Sequence, residues 1–342
     1  MGSTIKISVV GCGYWGEKLI RNFAALGVLN SVCDVNVAQA KKISEHYHVP
    51  IQSLTQILDS DCSGVVIAAP ALQHFDLARQ CLKAHKHVFV EKPLTVRVEE
   101  AEVLHALSLK VKKQLMVGHL LQYHPAFVAL KQLKTTEKLG QIKYLYSNRL
   151  NLGKFRRDEN ILWSFAPHDV SMILSLMDAV PETVFATGAC YLNPNVHDVT
   201  VMHMQFTENV QAHIFVSWLH PYKEQKLVVV GDKGMAIFND GLPWSEKLSL
   251  YPHTIYQENG FFKPEKADKI KIKLVENEPL KAECQHFIDC ISYSIKPHTN
   301  AEEAMRVLGV LEAAQQSLQS KRNMLLNTEI PHEFKKALAL CQ

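Results

Sequence analysis

The stretch Ile5-Lys6-Ile7-Ser8-Val9-Val10-Gly11-Cys12-Gly13-Tyr14-Trp15-Gly16 decides how the rest of the chain is read. Residues 5–10 form a strand-like run, and 17–26 carry helical spacing at Leu19, Ile20, Phe23 and Leu26. Strand, glycine turn and helix follow one another directly. Gly11 permits the tight turn, Gly13 lets backbone amides come close to a pyrophosphate, and Gly16 lets the helix lie against the strand, with the helix N-terminus facing the anion. A G-x-G-x-x-G pattern alone is weak evidence. Here a second strand, Asn30-Ser31-Val32-Cys33-Asp34, ends in a carboxylate ~20 residues beyond the first glycine, the position that reads ribose hydroxyls. Asp34 attracts those hydroxyls and repels a 2′-phosphate, and neither Val35 nor Asn36 is an arginine that would reverse the preference. The pattern predicts a dinucleotide site that prefers NAD to NADP.

Outward from this unit the alternation continues, with helices over 37–46, 54–58, 75–84 and 99–111. Strands are expected near 50–51, at 64–69, at 88–90 and at 114–117. Strands separated by helices of this length build right-handed βαβ units, so the N-terminal part is expected to be a Rossmann domain with a doubly wound parallel sheet of six strands. The strand Val88-Phe89-Val90 stops at Glu91-Lys92-Pro93. Proline cannot continue a central ladder, which places Glu91 and Lys92 at the carboxyl end of the sheet, where ligands bind in open α/β folds. The competing reading is a strand that ends in a surface ion pair.

After Tyr123-His124-Pro125 the texture changes. A helix over 126–138 stops at Gly140, and long strands follow at 142–151, 184–191, 198–206, 210–219, 225–230 and 235–239. One helix interrupts them at 166–177, and the last helices fall at 281–295 and 301–318. Runs of strands without intervening helices mean an open, mostly antiparallel sheet. The fold class is therefore α/β, with a Rossmann domain at 1–121 and a C-terminal α+β domain at 122–342. The free face of such a sheet suggests a homodimer or homotetramer packed sheet on sheet, an exposed polar face being the alternative.

Composition narrows the function classes. Across 342 residues, 37 Lys+Arg against 34 Asp+Glu leave a net charge of +3, with no basic run interleaved with aromatics, so nucleic acid is not an expected partner. No uninterrupted apolar stretch is long enough to span a bilayer and no signal-like segment precedes the first strand, which predicts a cytoplasmic protein without a membrane partner. The eight cysteines are scattered without a C-x-x-C pair, and the 17 histidines show no tight ligand spacing, so no metal is expected.

Taken together, the glycine motif, Ala69-Pro70 with His74 shortly after, Glu91-Lys92-Pro93 and Gly140 resemble the Gfo/Idh/MocA oxidoreductases over nearly the whole chain. That family comprises NAD(P)-dependent sugar, inositol and nucleotide-sugar oxidoreductases. Tyr146 to Gly153, Trp163 to Asp169 and Ser217 to His220 resemble the branch acting at C3 of UDP-N-acetylglucosamine or its uronic acid. The resemblance implies cofactor contacts for Gly11, Gly13, Tyr14, Trp15, Gly16, Asp34, Ala69, Pro70, His74, Glu91 and Lys92. It also implies catalytic roles for Lys92 and His168. Both roles make chemical sense: an imidazole titrating near neutrality suits a base for an alcohol, and an ammonium beside the same oxygen stabilises developing alkoxide. Where many relatives have aspartate four residues before the histidine, this chain has Ser164, which leaves Asp169, another carboxylate or no partner at all for the imidazolium. Arg149, Lys154, Arg156 and Arg157, with Asn160, form a basic segment suited to a diphosphate, a solvated loop being the alternative. Tyr123 and His124 are placed either to touch substrate or to pack at the domain crossover. A free-sugar or inositol dehydrogenase, and a dinucleotide-binding sensor without turnover, are the competing functions.

Overall fold

The structure, a computed structural model, describes residues 5–326 apart from 154 and 158. From its start the chain runs β1 (Ile7–Val10), α1 (Tyr14–Ala25), β2 (Leu29–Cys33), α2 (Val37–Tyr47) and α3 (Leu54–Asp59). It continues through β3 (Gly64–Ile67), α4 (His74–Lys83), β4 (His87–Val90), α5 (Val98–Val111) and β5 (Leu115–Val117). The strands form one five-stranded parallel sheet in the order β2-β1-β3-β4-β5. Every residue of β1, β3 and β5 is buried, as expected of strands packed on both faces, and this is why they read as continuous apolar runs rather than alternating ones. Because β1 has β2 on one side and β3 on the other, the strand order reverses at β1, and the loops after β1 and β3 open onto that switch point.

The sixth strand expected near 50–51 is reduced to a single bridge between Val32 and Ile51. Pro50 has no N–H to donate, and only Pro50 O and Gln52 N bond to Val32 there.

The next part comprises α6 (Pro125–Thr135), β6 (Ile142–Leu152), α7 (Ile161–Met177), β7 (Thr183–Ala189), β8 (Val199–Gln205), β9 (Gln211–Ser217), β10 (Leu219–Gly231), β11 (Gly234–Asn239), β12 (Leu248–Glu258), β13 (Phe261–Lys266) and β14 (Ile270–Lys271). Then follow α8 (Pro279–Tyr293), α9 (Ala301–Ser320) and β15 (Met324–Leu325). Strands β13-β12-β11-β10-β6-β9-β8-β7-β15, with β14 beside β12, make a ten-stranded sheet in which β6 and β9 pair in parallel and the remaining pairs are antiparallel. Helix α7 begins at Ile161, earlier than the pattern suggested. Asn160 caps it by accepting from Trp163 N at 3.3 Å, and Pro167 is carried inside the helix.

The chain divides into two compact units, but not as two consecutive segments. Among the described residues, the first unit runs through Tyr123 and then takes back Glu278–Leu308; the second holds His124–Asn277 and 309–326. A single C-terminal domain from residue 122 onward is thus corrected, because α8 carries an apolar face that the first unit buries. Leu280, Cys284, Phe287 and Ile288 share one core with Ile7, Val9, Leu19, Ile20, Phe23, Val66 and Phe89.

Candidate active site

Helix α1 opens with Gly13 as its N-cap, a residue with no side chain to cap the first turn. Gly11 has φ +101°, and a Cβ there would stand 2.6 Å from Ala68 O; a Cβ on Gly16 would stand 1.9 Å from Gly11 O. Both positions demand glycine for close packing. Gly13 differs: a Cβ on it would meet nothing within 4 Å, so the space in front of the helix end is open to a ligand. Asp34 sits beside this loop, its Oδ2 accepting from Cys12 N at 2.5 Å and its Oδ1 from Asn36 N at 2.7 Å, while Gln39 Nε2 donates to Cys12 O at 2.9 Å. Burial, reinforced by the charge of Asp34, pushes the Cys12 thiol up to about 12, so it is no nucleophile. These residues fit a dinucleotide: a glycine-opened helix N-terminus for the phosphates and a fixed carboxylate for the ribose.

At the carboxyl end of β4, Glu91 is 8% exposed and accepts from the Trp15 indole N–H and, at 3.3 Å, from Lys92 N. The glycine loop and the Glu91-Lys92-Pro93 segment are therefore tied through one indole. His74 is buried, with Nδ1 2.7 Å from Pro93 O and Nε2 2.8 Å from Ala69 O. Burial lowers its pKa against the pull of both carbonyls, and a neutral ring donates to only one of the two oxygens. The ring lies against the Ala69 carbonyl, just ahead of Pro70. Tyr14 is 72% exposed at the start of α1.

In the second unit, Ser164 and His168 lie one turn apart on the same side of α7, with Ser164 buried and His168 half-buried. Asp169 does not serve His168. It is 1% exposed and takes Arg149 Nε at 2.6 Å, Arg149 Nη2 at 3.1 Å and Ser147 Oγ at 2.5 Å. This ion pair also removes Arg149 from the basic segment. Of the other residues there, Lys154 lies outside the described residues, Arg156 pairs with Glu159 at 2.7 Å, and Arg157 is exposed. Asn160 is committed to its capping bond and to Gln315 Oε1 at 2.8 Å, which Trp163 Nε1 also reaches at 3.2 Å. Tyr123 is buried in the first unit, its hydroxyl 2.9 Å from Thr299 Oγ1. His124 caps α6 through Nδ1, stacks on Trp244 with centroids 5.3 Å apart, and places Nε2 3.3 Å from Asp240. Tyr123 and His124 are held by these packing and capping contacts.

Two features escaped the sequence reading. The Trp15–Glu91 bond joins residues far apart in the chain and leaves no local signal. Glu283 is fully buried on the apolar face of α8, and its signal was legible as an acid at helical spacing among Leu280, Cys284 and Phe287.

Residues 5–119 match the model of the oxidoreductase family with an NAD-binding Rossmann fold, and residues 127–237 match the GFO/IDH/MocA C-terminal domain. The chain belongs to the GFO/IDH/MocA family. As such it is an oxidoreductase, and the glycine loop, Asp34, His74, Glu91 and Lys92 all fall within the family's NAD-binding domain. The UDP-N-acetylglucosamine 3-dehydrogenase of Acidithiobacillus ferrooxidans is 27% identical over 214 residues, covering 62% of this chain and 67% of that protein. An inositol 2-dehydrogenase of Salmonella typhimurium is 26% identical over 247 residues, or 68% of this chain and 73% of that one. A solved structure of the Acidithiobacillus enzyme has the same fold, with a TM-score of 0.81 at 23% identity, covering 92% of this chain and 98% of that one. Among the described residues no helix is long and apolar enough to cross a membrane, and no group of His, Cys, Asp and Glu is arranged to hold a metal ion.

Proposed function

We propose that this family member is an NAD-dependent dehydrogenase acting on a secondary alcohol of a nucleotide-linked sugar, with C3 of a UDP-linked N-acetylamino sugar as the preferred position. The observation that carries the cofactor choice is the Asp34 carboxylate, fixed by Cys12 N and Asn36 N beside the loop that takes the phosphates. A carboxylate there repels a 2′-phosphate. The substrate choice is supported by the similarity to the UDP-N-acetylglucosamine 3-dehydrogenase and by the exposed Arg156 and Arg157.

When bound, NAD supplies the hydride acceptor. In this reading His168 takes the proton of the alcohol as the hydride leaves, and Lys92 donates a hydrogen bond to the same oxygen and stabilises its developing charge. Ser164, one turn from His168, contributes hydrogen bonding but no charge, so the imidazolium lacks the carboxylate that many relatives place there. Arg156 and Arg157 hold the diphosphate.

The second reading, an inositol or free-sugar dehydrogenase, is favoured by the similarity to inositol 2-dehydrogenase over a longer stretch and by the pairing of Arg156 with Glu159, which reduces the free charge of the loop. A panel of UDP-N-acetylglucosamine, its uronic acid, free sugars and inositols separates the two, with NADH formation measured for wild type and for Arg156→Ala and Arg157→Ala. The nucleotide-sugar reading expects UDP-sugars to be fastest and both variants to lose rate as well as affinity. Inositol outpacing every UDP-sugar, with the variants unchanged, would overturn it.

A further inference from the structure

Trp15 is the second residue of α1 and part of the glycine motif, yet its side chain serves another strand. The indole N–H donates to Oε1 of Glu91 at the carboxyl end of β4, while Oε2 of the same carboxyl accepts from Lys92 N at 3.3 Å. Both carboxyl oxygens are used, so the indole, Glu91 and the Lys92 backbone form one chain of hydrogen bonds. In the sheet order β3 lies between β1 and β4, which puts those two strands about 10 Å apart, and the indole reaches past the end of β3 to make its bond.

Both partners are confined. The Trp15 ring packs against the core of the first unit, and the Lys18 ammonium lies over it, 4.8 Å from the ring centroid. Glu91 is buried, and a Cβ on Gly118 would stand 2.9 Å from its Oε2, so the missing side chain at 118 is what leaves room for the carboxyl. A buried carboxyl is costly unless its hydrogen bonds are made. A strand ending in a surface ion pair, the plain reading of Glu91 and Lys92, needs neither the burial nor the glycine.

We propose that Trp15 is a positioning residue for Lys92: by holding Glu91 in place, its indole N–H fixes the backbone from which the Lys92 ammonium reaches the alcohol oxygen. The proposal rests on the role given to Lys92 under the proposed function and on no particular sugar. Glycine and Asp34 contacts hold the loop independently of the indole, through Gly11 and Gly16 packed against backbone and Cys12 N bonded to Asp34. Losing the indole N–H therefore leaves the dinucleotide contacts in place and loosens Lys92. Its cost falls on the transition state, where the ammonium meets developing charge, and not on the binding of NAD.

The test uses the full chain and Trp15→Phe, which keeps an aromatic ring and removes the N–H. With whichever compound of the substrate panel reduces NAD, Trp15→Phe should lower kcat about tenfold or more while Kd for NAD and KM for the sugar stay within about threefold. Glu91→Gln, whose amide oxygen still accepts from the indole, should stay near wild type, and Glu91→Leu should match Trp15→Phe. In a Lys92→Ala background, Trp15→Phe should cost nothing further, because the residue through which it acts is gone. A second readout needs no substrate: acetylation of Lys92 by acetic anhydride, followed by mass spectrometry, should quicken severalfold in Trp15→Phe while the exposed Lys112, beyond the end of α5, is unchanged. Weakened NAD binding with kcat restored at saturating NAD would make Trp15 a support of the loop alone. That result, an undiminished kcat, a tenfold loss that persists without Lys92, or unchanged Lys92 acetylation would each overturn the proposal. No NADH from any compound with wild type would instead count against the proposed function, and the acetylation rates then decide this proposal by themselves.

Discussion

Asp34 is held by two backbone amides in the protein alone, so its carboxylate is in place before a cofactor arrives. Asp34→Ala should therefore narrow the preference for NAD over NADP, as read by calorimetric titration of both; equal or tighter NADP binding by wild type would contradict the assignment. His168→Ala and Lys92→Ala are each expected to lower kcat by roughly two orders of magnitude or more while leaving NAD affinity largely intact, because their contribution is made in the transition state. Asp169 behaves differently from its neighbour. Successive helix residues point about 100° apart, and Asp169 is turned toward Arg149 and Ser147. Asp169→Ala leaves a buried guanidinium uncompensated and should cost about 3–5 kcal/mol of stability, measured by urea unfolding. The glycine turn and the placement of Asp34 beside it were legible because local spacing dictates them. The Asp169–Arg149 pair was not, since it joins a helix to a strand.

At the scale of elements, α8 carries the clearest pH signature. Glu91 and Glu283 keep their protons in the folded state above the pH at which an unfolded chain has lost them. The folded state then binds more protons, so their contribution to stability is full below about pH 4.5 and is lost as pH rises, through about 7 for Glu91 and well above the usual carboxylate range for Glu283. Glu283→Gln removes its share, so its Tm should fall less than that of wild type between mildly acidic and alkaline buffer. An identical fall in both would contradict the burial argument. On the acid side the sign reverses: burial lowers His87 and His286 from 6.5 to about 4, so the stability they provide grows as pH rises between those values. Apolar periodicity revealed most strands and helices, yet the β12–β13 ribbon went unrecognised. It exposes Ile255, Tyr256, Phe261 and Phe262 and shows little in-out alternation. The start of α7 was missed because Pro167 reads as a helix breaker, whereas here the helix carries it in its interior.

For the molecule as a whole, the open sheet bears on assembly. Ser147 and Arg149 point to Asp169 on α7, so the alternate residue Tyr146 lies on the other face. There it stacks on His213 with centroids 5.3 Å apart, with the exposed His203 beside it at 5.9 Å from His213. Light scattering should report a homodimer or homotetramer, and a monomer at micromolar concentration would remove the sheet-on-sheet expectation. Domain order along the chain was only partly legible, because the return of α8 to the first unit depends on which apolar face accepts it. The central claim is hydride transfer from a nucleotide sugar to NAD. It is tested most directly by single-turnover NADH absorbance with UDP-N-acetylglucosamine and its uronic acid, set against inositol and free N-acetylglucosamine. The account predicts a rapid rise with a UDP-sugar that His168→Ala abolishes, and little with the free compounds. A rise only with inositol or free sugar, or one undiminished in His168→Ala, would contradict it.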